Sequence, residues 1–158
     1  MILGKKRRLG RKIENISVGE KLKLTEKIED KDLLLYLGLT NDGNPLYIQH
    51  DFAAQTPFEK PIVPTIMLTG IVTSATSKYL PGPGSHVIET QLKFPTPVYH
   101  YATINFLLEV IEVRQDDNEI VIKVEAWNEA EEIVVTGNVT VVPRKVIDRL
   151  TADAMDNF

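Results

Sequence analysis

The feature that most constrains this chain is the stretch 65–80, TIMLTGIVTSATSKYL, which carries one charge, Lys78, between Pro64 and the Pro81-Gly82 pair. It has no polar face of any width, as expected of an element wrapped on most sides by the rest of the molecule. Proline and glycine punctuate both ends. As a helix the run would measure about 24 Å at 1.5 Å per residue, short of the roughly 30 Å of hydrocarbon in a bilayer. It is therefore expected to be a buried core helix. Ile, Val and Thr are frequent enough in it for a pair of strands to be the alternative reading.

Beyond residue 86 the period changes to two. HVIETQLKF, ATINFLLEVIEVR, EIVIKVEAWN and EIVVTGNVTVV alternate apolar with polar residues and are separated by PTPVYH, QDDN and NEAE, which predicts four strands joined by turns. In the third, Ile120, Ile122, Val124 and Ala126 share one face with Glu119, Lys123 and Glu125 opposite, so one side of an antiparallel sheet meets a core and the other meets water. Upstream, KLKLTE predicts a short strand and DKDLLLYLGLT a helix begun by acids. NDGNP at 41–45 stops that helix, and HDFAAQ around 50–55 adds one or two helical turns. The fold class is α+β: about five antiparallel strands and one long apolar helix, with the sheet curved round that helix because nothing else is large enough to cover either surface.

A chain of 158 residues has room for one domain with a core of its own. It has 18 basic and 22 acidic residues and no cysteine, which removes disulfides, thiolate metal sites and a cysteine nucleophile. Six of the basic residues, Lys5, Lys6, Arg7, Arg8, Arg11 and Lys12, fall in the first 12 positions without an acid, leaving 12 basic against 22 acidic residues in the body. An acidic body argues against nucleic acid as a partner, since tracking phosphates needs a basic face. Residues 1–12 are expected to be a solvated basic arm or an anion contact, 13–145 the domain, and 146–158 a tail or short amphipathic helix. Neither a signal peptide nor a membrane span is expected, which suits a cytoplasmic protein. Three scattered histidines, His50, His86 and His100, have no metal-ligand spacing, and no glycine-rich phosphate loop follows a strand, so neither a metal nor a dinucleotide cofactor is expected. Ile66, Met67 and Phe94 read as core, and Trp127 as strand packing.

Four segments in order resemble one known family. NDGNPLYIQHDFAAQTPFEKPIVPTIM at 41–67 resembles the signature of the MaoC-like R-specific enoyl-CoA hydratases, D-x-N-P-L-H followed by F-x-x-P-I-V-H-G-M. LPGPGS at 80–85 and QLKFPTPV at 91–98 resemble that family's L-P-G-x-G-S and L-x-F-x-x-P-V segments. The resemblance spans residues 13–142. It implies a hot-dog fold, an antiparallel sheet wrapped round one long helix, assembled at least as a homodimer and acting on acyl thioesters of CoA or acyl carrier protein without a further cofactor.

The chemistry that this resemblance implies is addition of water across a trans-2-enoyl thioester, or the reverse dehydration of an R-3-hydroxyacyl thioester. A base must deprotonate the water, an acid must serve C2, and donors must stabilise the enolate-like oxygen at the thioester carbonyl. Carried onto this chain, Asp42 takes a proton-handling role, Asn44 orients the pair, and the amide of Thr65 at the start of the long helix receives the oxyanion. The family's first histidine is Tyr47 here and its second is Pro64. A phenol, with a reference pKa near 10 against about 6.5 for imidazole, is a poor proton shuttle at neutral pH, and loss of one partner of an acid/base pair lowers a rate by roughly 10² to 10⁴. His50 and His86 are the obvious stand-ins, although His50 lies three positions past the expected site. Gly82, Gly84 and Ser85 are expected either to approach the pantetheine of a thioester or to form the helix's C-terminal turn. Two other readings stand beside the hydro-lyase: a binding subunit without turnover, paired with a complete hot-dog partner, and an acyl-CoA thioesterase.

Overall fold

The computed structural model describes residues 9–146. Lys5, Lys6, Arg7 and Arg8 of the basic arm, and nearly all of the expected C-terminal helix, lie outside the described residues. A 3-10 turn at Ile13–Asn15 precedes β1 (Lys21–Lys27), and α1 (Asp30–Thr40), α2 (Pro45–Ile48), α3 (His50–Ala53) and α4 (Thr65–Lys78) follow. The chain then runs through β2 (His86–Lys93), β3 (Thr103–Arg114), β4 (Glu119–Trp127) and β5 (Ile133–Val142).

The five strands form one antiparallel sheet in the order β1-β3-β4-β5-β2. Consecutive in sequence among strands, β1 and β2 lie at opposite edges, so the helical segment between them carries the chain from one edge to the other. Period-two patterning does the rest. In β3 Ile104, Phe106, Leu108 and Val110 are buried, and in β4 Ile120, Ile122, Val124 and Ala126 are buried. The register places Phe106 opposite Ala126, Leu108 opposite Val124 and Val110 opposite Ile122, which brings large side chains against smaller ones. Where β5 meets β2, Gly137 has φ +150°, and a Cβ there would stand 1.9 Å from the Gln91 carbonyl oxygen. A larger residue would force the two strands apart.

Helix α4 lies against this apolar face through Leu68, Val72, Ala75 and Thr76, a stripe at helical spacing. The buried Thr76 hydroxyl is satisfied by the Thr73 carbonyl at 2.8 Å. The expectation of a helix wrapped on most sides is corrected here, because Thr65, Ile66, Gly70, Thr73 and Ser77 of the same helix are exposed. One five-stranded sheet covers one side of a helix, and the other side is coated with small Thr, Ser and Gly residues that tolerate water without being charged. Ile66 is accordingly not a core residue, being 53% exposed.

The start of the described chain is tied to the body. Gly10 and Arg11 donate their amides to the carbonyls of Pro83 and Pro81 at 2.8 and 2.9 Å, and the Arg11 guanidinium grips Glu20 with two bonds of 2.8 and 2.9 Å. Arg11 is thus a docked residue of the fold and not part of a solvated arm.

Candidate functional site

The acids that open α1 cap it: the Asp32 side chain accepts from the Glu29 amide at 3.0 Å, and the Asp32 amide donates to the Glu29 carbonyl at 3.0 Å. At its other end Asn41 takes the left-handed conformation, φ 54° and ψ 30°, and folds the chain back on the last turns. That reversal sets Asp42. Its Oδ2 accepts a 2.6 Å hydrogen bond from the Tyr36 hydroxyl, and its Oδ1 accepts from the Asn44 amide at 3.2 Å. The bond to Asp42 is the first cause that raises the Tyr36 phenol above its ordinary pKa, so at neutral pH the phenol keeps its proton and donates it to the carboxylate. Asn44 in turn caps α2, accepting from the Leu46 amide at 3.0 Å, with Pro45 in the first turn. Its carbonyl oxygen is engaged in that cap.

Helix α1 stands between two hollows. On one side Leu35, Tyr36, Leu39 and Thr40 face Ile66, Met67, Thr69, Gly70 and Thr73 of α4 across a groove of about 590 Å³. On the other side Asp30, Leu33, Leu34 and Leu37 line a second cavity of about 590 Å³ with Tyr47, His50, Lys60, Tyr99, His100 and Tyr101. Tyr47, expected as the partner of Asp42, therefore lines the second cavity with two of the histidines, whereas the phenol that holds the Asp42 carboxylate is Tyr36. Sequence reasoning missed Tyr36. Residues six apart do not share a helix face, and only the left-handed turn at Asn41 brings this pair together. His50 is exposed in the second cavity, and His86 is exposed on the edge strand β2.

His100 was also missed. Its side chain is 14% exposed, with Nδ1 3.7 Å from an Asp30 carboxylate oxygen. Burial lowers its pKa from the ordinary value, opposed by the Asp30 charge and aided by His50. It follows Tyr99, whose hydroxyl donates to the Phe58 carbonyl at 2.9 Å, and precedes Tyr101, which has φ 65° and donates its hydroxyl to Asp30 at 2.5 Å. Lys60 lies over the Tyr99 ring, 4.6 Å from its centroid.

Thr65 opens α4 after the N-cap Pro64. The amides of a helix's first turn have no acceptor within the helix; the Met67 amide donates to the Pro64 carbonyl at 3.0 Å, and those of Thr65 and Ile66 remain as donors there. The entry to α4 is pinned from both sides: the Ile62 amide donates to the Leu46 carbonyl at 3.2 Å and the Val63 amide to the Val98 carbonyl at 2.7 Å. This couples the turn bearing Asp42 and Asn44 to the start of α4. Thr65 itself borders a hollow of about 230 Å³ with Phe58, Leu68 and Phe94, while Ile66, next to it, borders the groove that contains Tyr36.

Gly82, Gly84 and Ser85 lie at the opposite end of α4, about 20 Å from Thr65 at 1.5 Å per residue. The Gly82 amide donates to Thr76 at 2.9 Å, and its Cα packs so tightly on Gly10 that a Cβ on Gly10 would stand 2.6 Å from the Gly82 carbonyl carbon. Gly84 at φ +91° rests on the Arg144 side chain. The Ser85 hydroxyl donates to the Thr76 carbonyl at 3.4 Å. These contacts belong to the turn that follows α4. No cluster of His, Asp or Glu suited to a metal occurs among the described residues, and no helix among them is long and apolar enough to cross a membrane.

Comparison with known proteins agrees with this architecture. The family model described as "MaoC like domain" matches residues 13–133. An (R)-specific enoyl-CoA hydratase of Aeromonas caviae is 28% identical over 128 residues, covering 81% of this chain and 96% of that one. The structure of the R-hydratase PhaJ1 from Pseudomonas aeruginosa in its unliganded form superposes with a TM-score of 0.78 at 25% identity, over 90% of this chain and 94% of that one. The ChsH1–ChsH2 complex from Mycobacterium tuberculosis has a chain that superposes with a TM-score of 0.72 at 25% identity, over 81% of this chain and 98% of its own. The antiparallel sheet with one long helix on its face is the hot-dog fold of these neighbours, and the chain belongs to the MaoC-like domain family of hydratases and dehydratases.

Proposed function

We propose that this chain is an acyl-thioester hydro-lyase that adds water to a trans-2-enoyl thioester of CoA or acyl carrier protein, or removes it from the R-3-hydroxyacyl thioester. The observation that supports the reading is the 2.6 Å hydrogen bond that holds the Asp42 carboxylate to Tyr36, a residue lining a groove whose far wall is α4 from Ile66 to Ser77. Asp42 takes a proton from water as its oxygen bonds to C3. The π electrons move through C2 toward the thioester oxygen, which the Thr65 amide stabilises, and the proton taken up by Asp42 then passes to C2, restoring the carbonyl and returning the carboxylate to its ionised form. No cofactor enters this balance. The relative named as an (R)-specific enoyl-CoA hydratase supports the substrate class. The cytoplasm, where such thioesters are made and used, is the setting that the reaction suits.

Purified protein mixed with crotonyl-CoA and followed by loss of the enoyl-thioester absorbance is the direct assay. Asp42→Asn is expected to lower kcat by roughly 10² to 10⁴, and full activity in that variant would remove Asp42 from the mechanism. Release of free thiol would instead identify a thioesterase, since hydration leaves the thioester whole.

A second reading has an observation of its own. Both positions at which the family signature has histidine carry other residues, Tyr47 and Pro64, and one structural neighbour is a chain of a complex. On that reading the chain binds thioesters and pairs with a catalytically complete hot-dog subunit. Turnover by the isolated chain would exclude it, whereas an inert chain that copurifies with such a subunit would establish it. On the first reading the assembly is a homodimer or a larger homo-oligomer.

A further inference from the structure

We infer that Tyr36 is the positioning residue for the Asp42 carboxylate, taking over at a different site in the chain the partnership that the family signature assigns to the histidine at position 47. The inference rests on the reading of Asp42 as the proton-handling carboxylate and deepens it.

Both Asp42 oxygens are engaged, one by α1 and one by the turn that follows it. Oδ2 receives the Tyr36 hydroxyl at 2.6 Å and Oδ1 the Asn44 amide at 3.2 Å. A phenol–carboxylate bond of that length is charge-assisted and fixes the orientation of the carboxylate. Tyr36 is itself fixed from below, because the Thr40 hydroxyl donates to its carbonyl at 2.8 Å while accepting from the Asp42 amide at 3.3 Å. The ring lies on the wall of the α1–α4 groove, opposite Ile66 and Met67. A thioester in that groove would therefore meet the phenol that sets the rotation of the Asp42 carboxylate. Tyr47 lies on the other side of α1, and no second donor of this kind reaches Asp42 among the described residues.

Loss of the phenol leaves the ring's packing and removes one donor. Tyr36→Phe should then free the carboxylate to rotate, with thioester binding little altered. In the crotonyl-CoA assay the expected result is a fall in kcat of about tenfold to a hundredfold with KM nearly constant. A purely structural tyrosine would lower stability without that split between kcat and KM. Titration of the Tyr36 phenol by carbon-13 NMR, in the wild type and in Asp42→Asn, reads the same pairing without turnover, and the phenol, raised in the wild type by its bond to Asp42, is expected to titrate at lower pH in the variant. If the wild type is inert on crotonyl-CoA and the phenol titration still moves, the pairing stands and the hydro-lyase reading falls. If the Tyr36 titration is unchanged in Asp42→Asn, the inference is overturned. It is equally overturned if Tyr47→Phe lowers kcat at constant KM and Tyr36→Phe does not.

Discussion

Burial sets the charge state of His100 against its nearest acid. The imidazole is largely shielded, and desolvation lowers its pKa despite an Asp30 carboxylate 3.7 Å away. At neutral pH the contact with Asp30 is thus one between a neutral ring and a carboxylate, and the surface-type ion pair contributes little. The consequence for stability has a definite sign. With the folded value below the unfolded one, the unfolded chain binds more protons between the two, so stability rises with pH across that window and is lost as pH falls below about 6.5. Urea midpoints taken from about pH 7.5 down to about pH 5 should decline in the wild type, with the decline reduced in His100→Gln. A variant that declines as steeply as the wild type would show that other groups carry the acid sensitivity.

The one-sided packing of α4 makes neighbouring residues of one helix very unequal in stability. Leu68 is 1% exposed against the sheet and Ile66 is 53% exposed at the groove. Within one subunit Leu68→Ala is expected to cost about 2–5 kcal/mol through lost burial and the cavity left behind, and Ile66→Ala under about 1 kcal/mol, both read from chemical denaturation at concentrations where the chain is monomeric. Equal costs there would mean that Ile66 is packed by its own subunit. The ends of this helix and the strands that follow were legible in the sequence, because Pro64 and the Pro81-Gly82 pair punctuate it and period-two alternation is written plainly in β3 to β5. Its exposed side was not, since Thr, Ser and Gly on a solvent face carry no charge pattern to read. The same limit hid Tyr36. A motif announces Asp42, but the phenol that holds it sits six residues earlier and reaches it only through the left-handed turn at Asn41, a tertiary fact with no periodic signature. Position 47 carried the family's expectation by alignment alone, and the fold turned it to the other side of α1.

At the scale of the whole molecule, the candidate site is open on one side. Leu35 and Leu39 of α1 are 73% and 86% exposed, and with Ile66 they edge the groove in which Tyr36 lies. Single exposed apolar residues are ordinary on a protein surface, but three grouped round one groove mark a face that gains from being covered. A five-stranded sheet cannot supply that cover, because its apolar face is already spent on the buried stripe of α4. A second subunit can, and in the homodimer proposed above it would exclude water from the carboxylate and sharpen its electrostatics. The wild type is then expected to sediment as a dimer at micromolar concentration, and Leu39→Glu, which places a charge in that apolar face, to shift it toward monomer and lower activity with it. If the wild type sediments as a monomer and hydrates crotonyl-CoA, one chain is sufficient for the chemistry and the open groove is its working form. If Leu39→Glu remains dimeric with full activity, the subunits meet elsewhere, and the exposed edge of β1 or β2 becomes the surface to test by the same measurement.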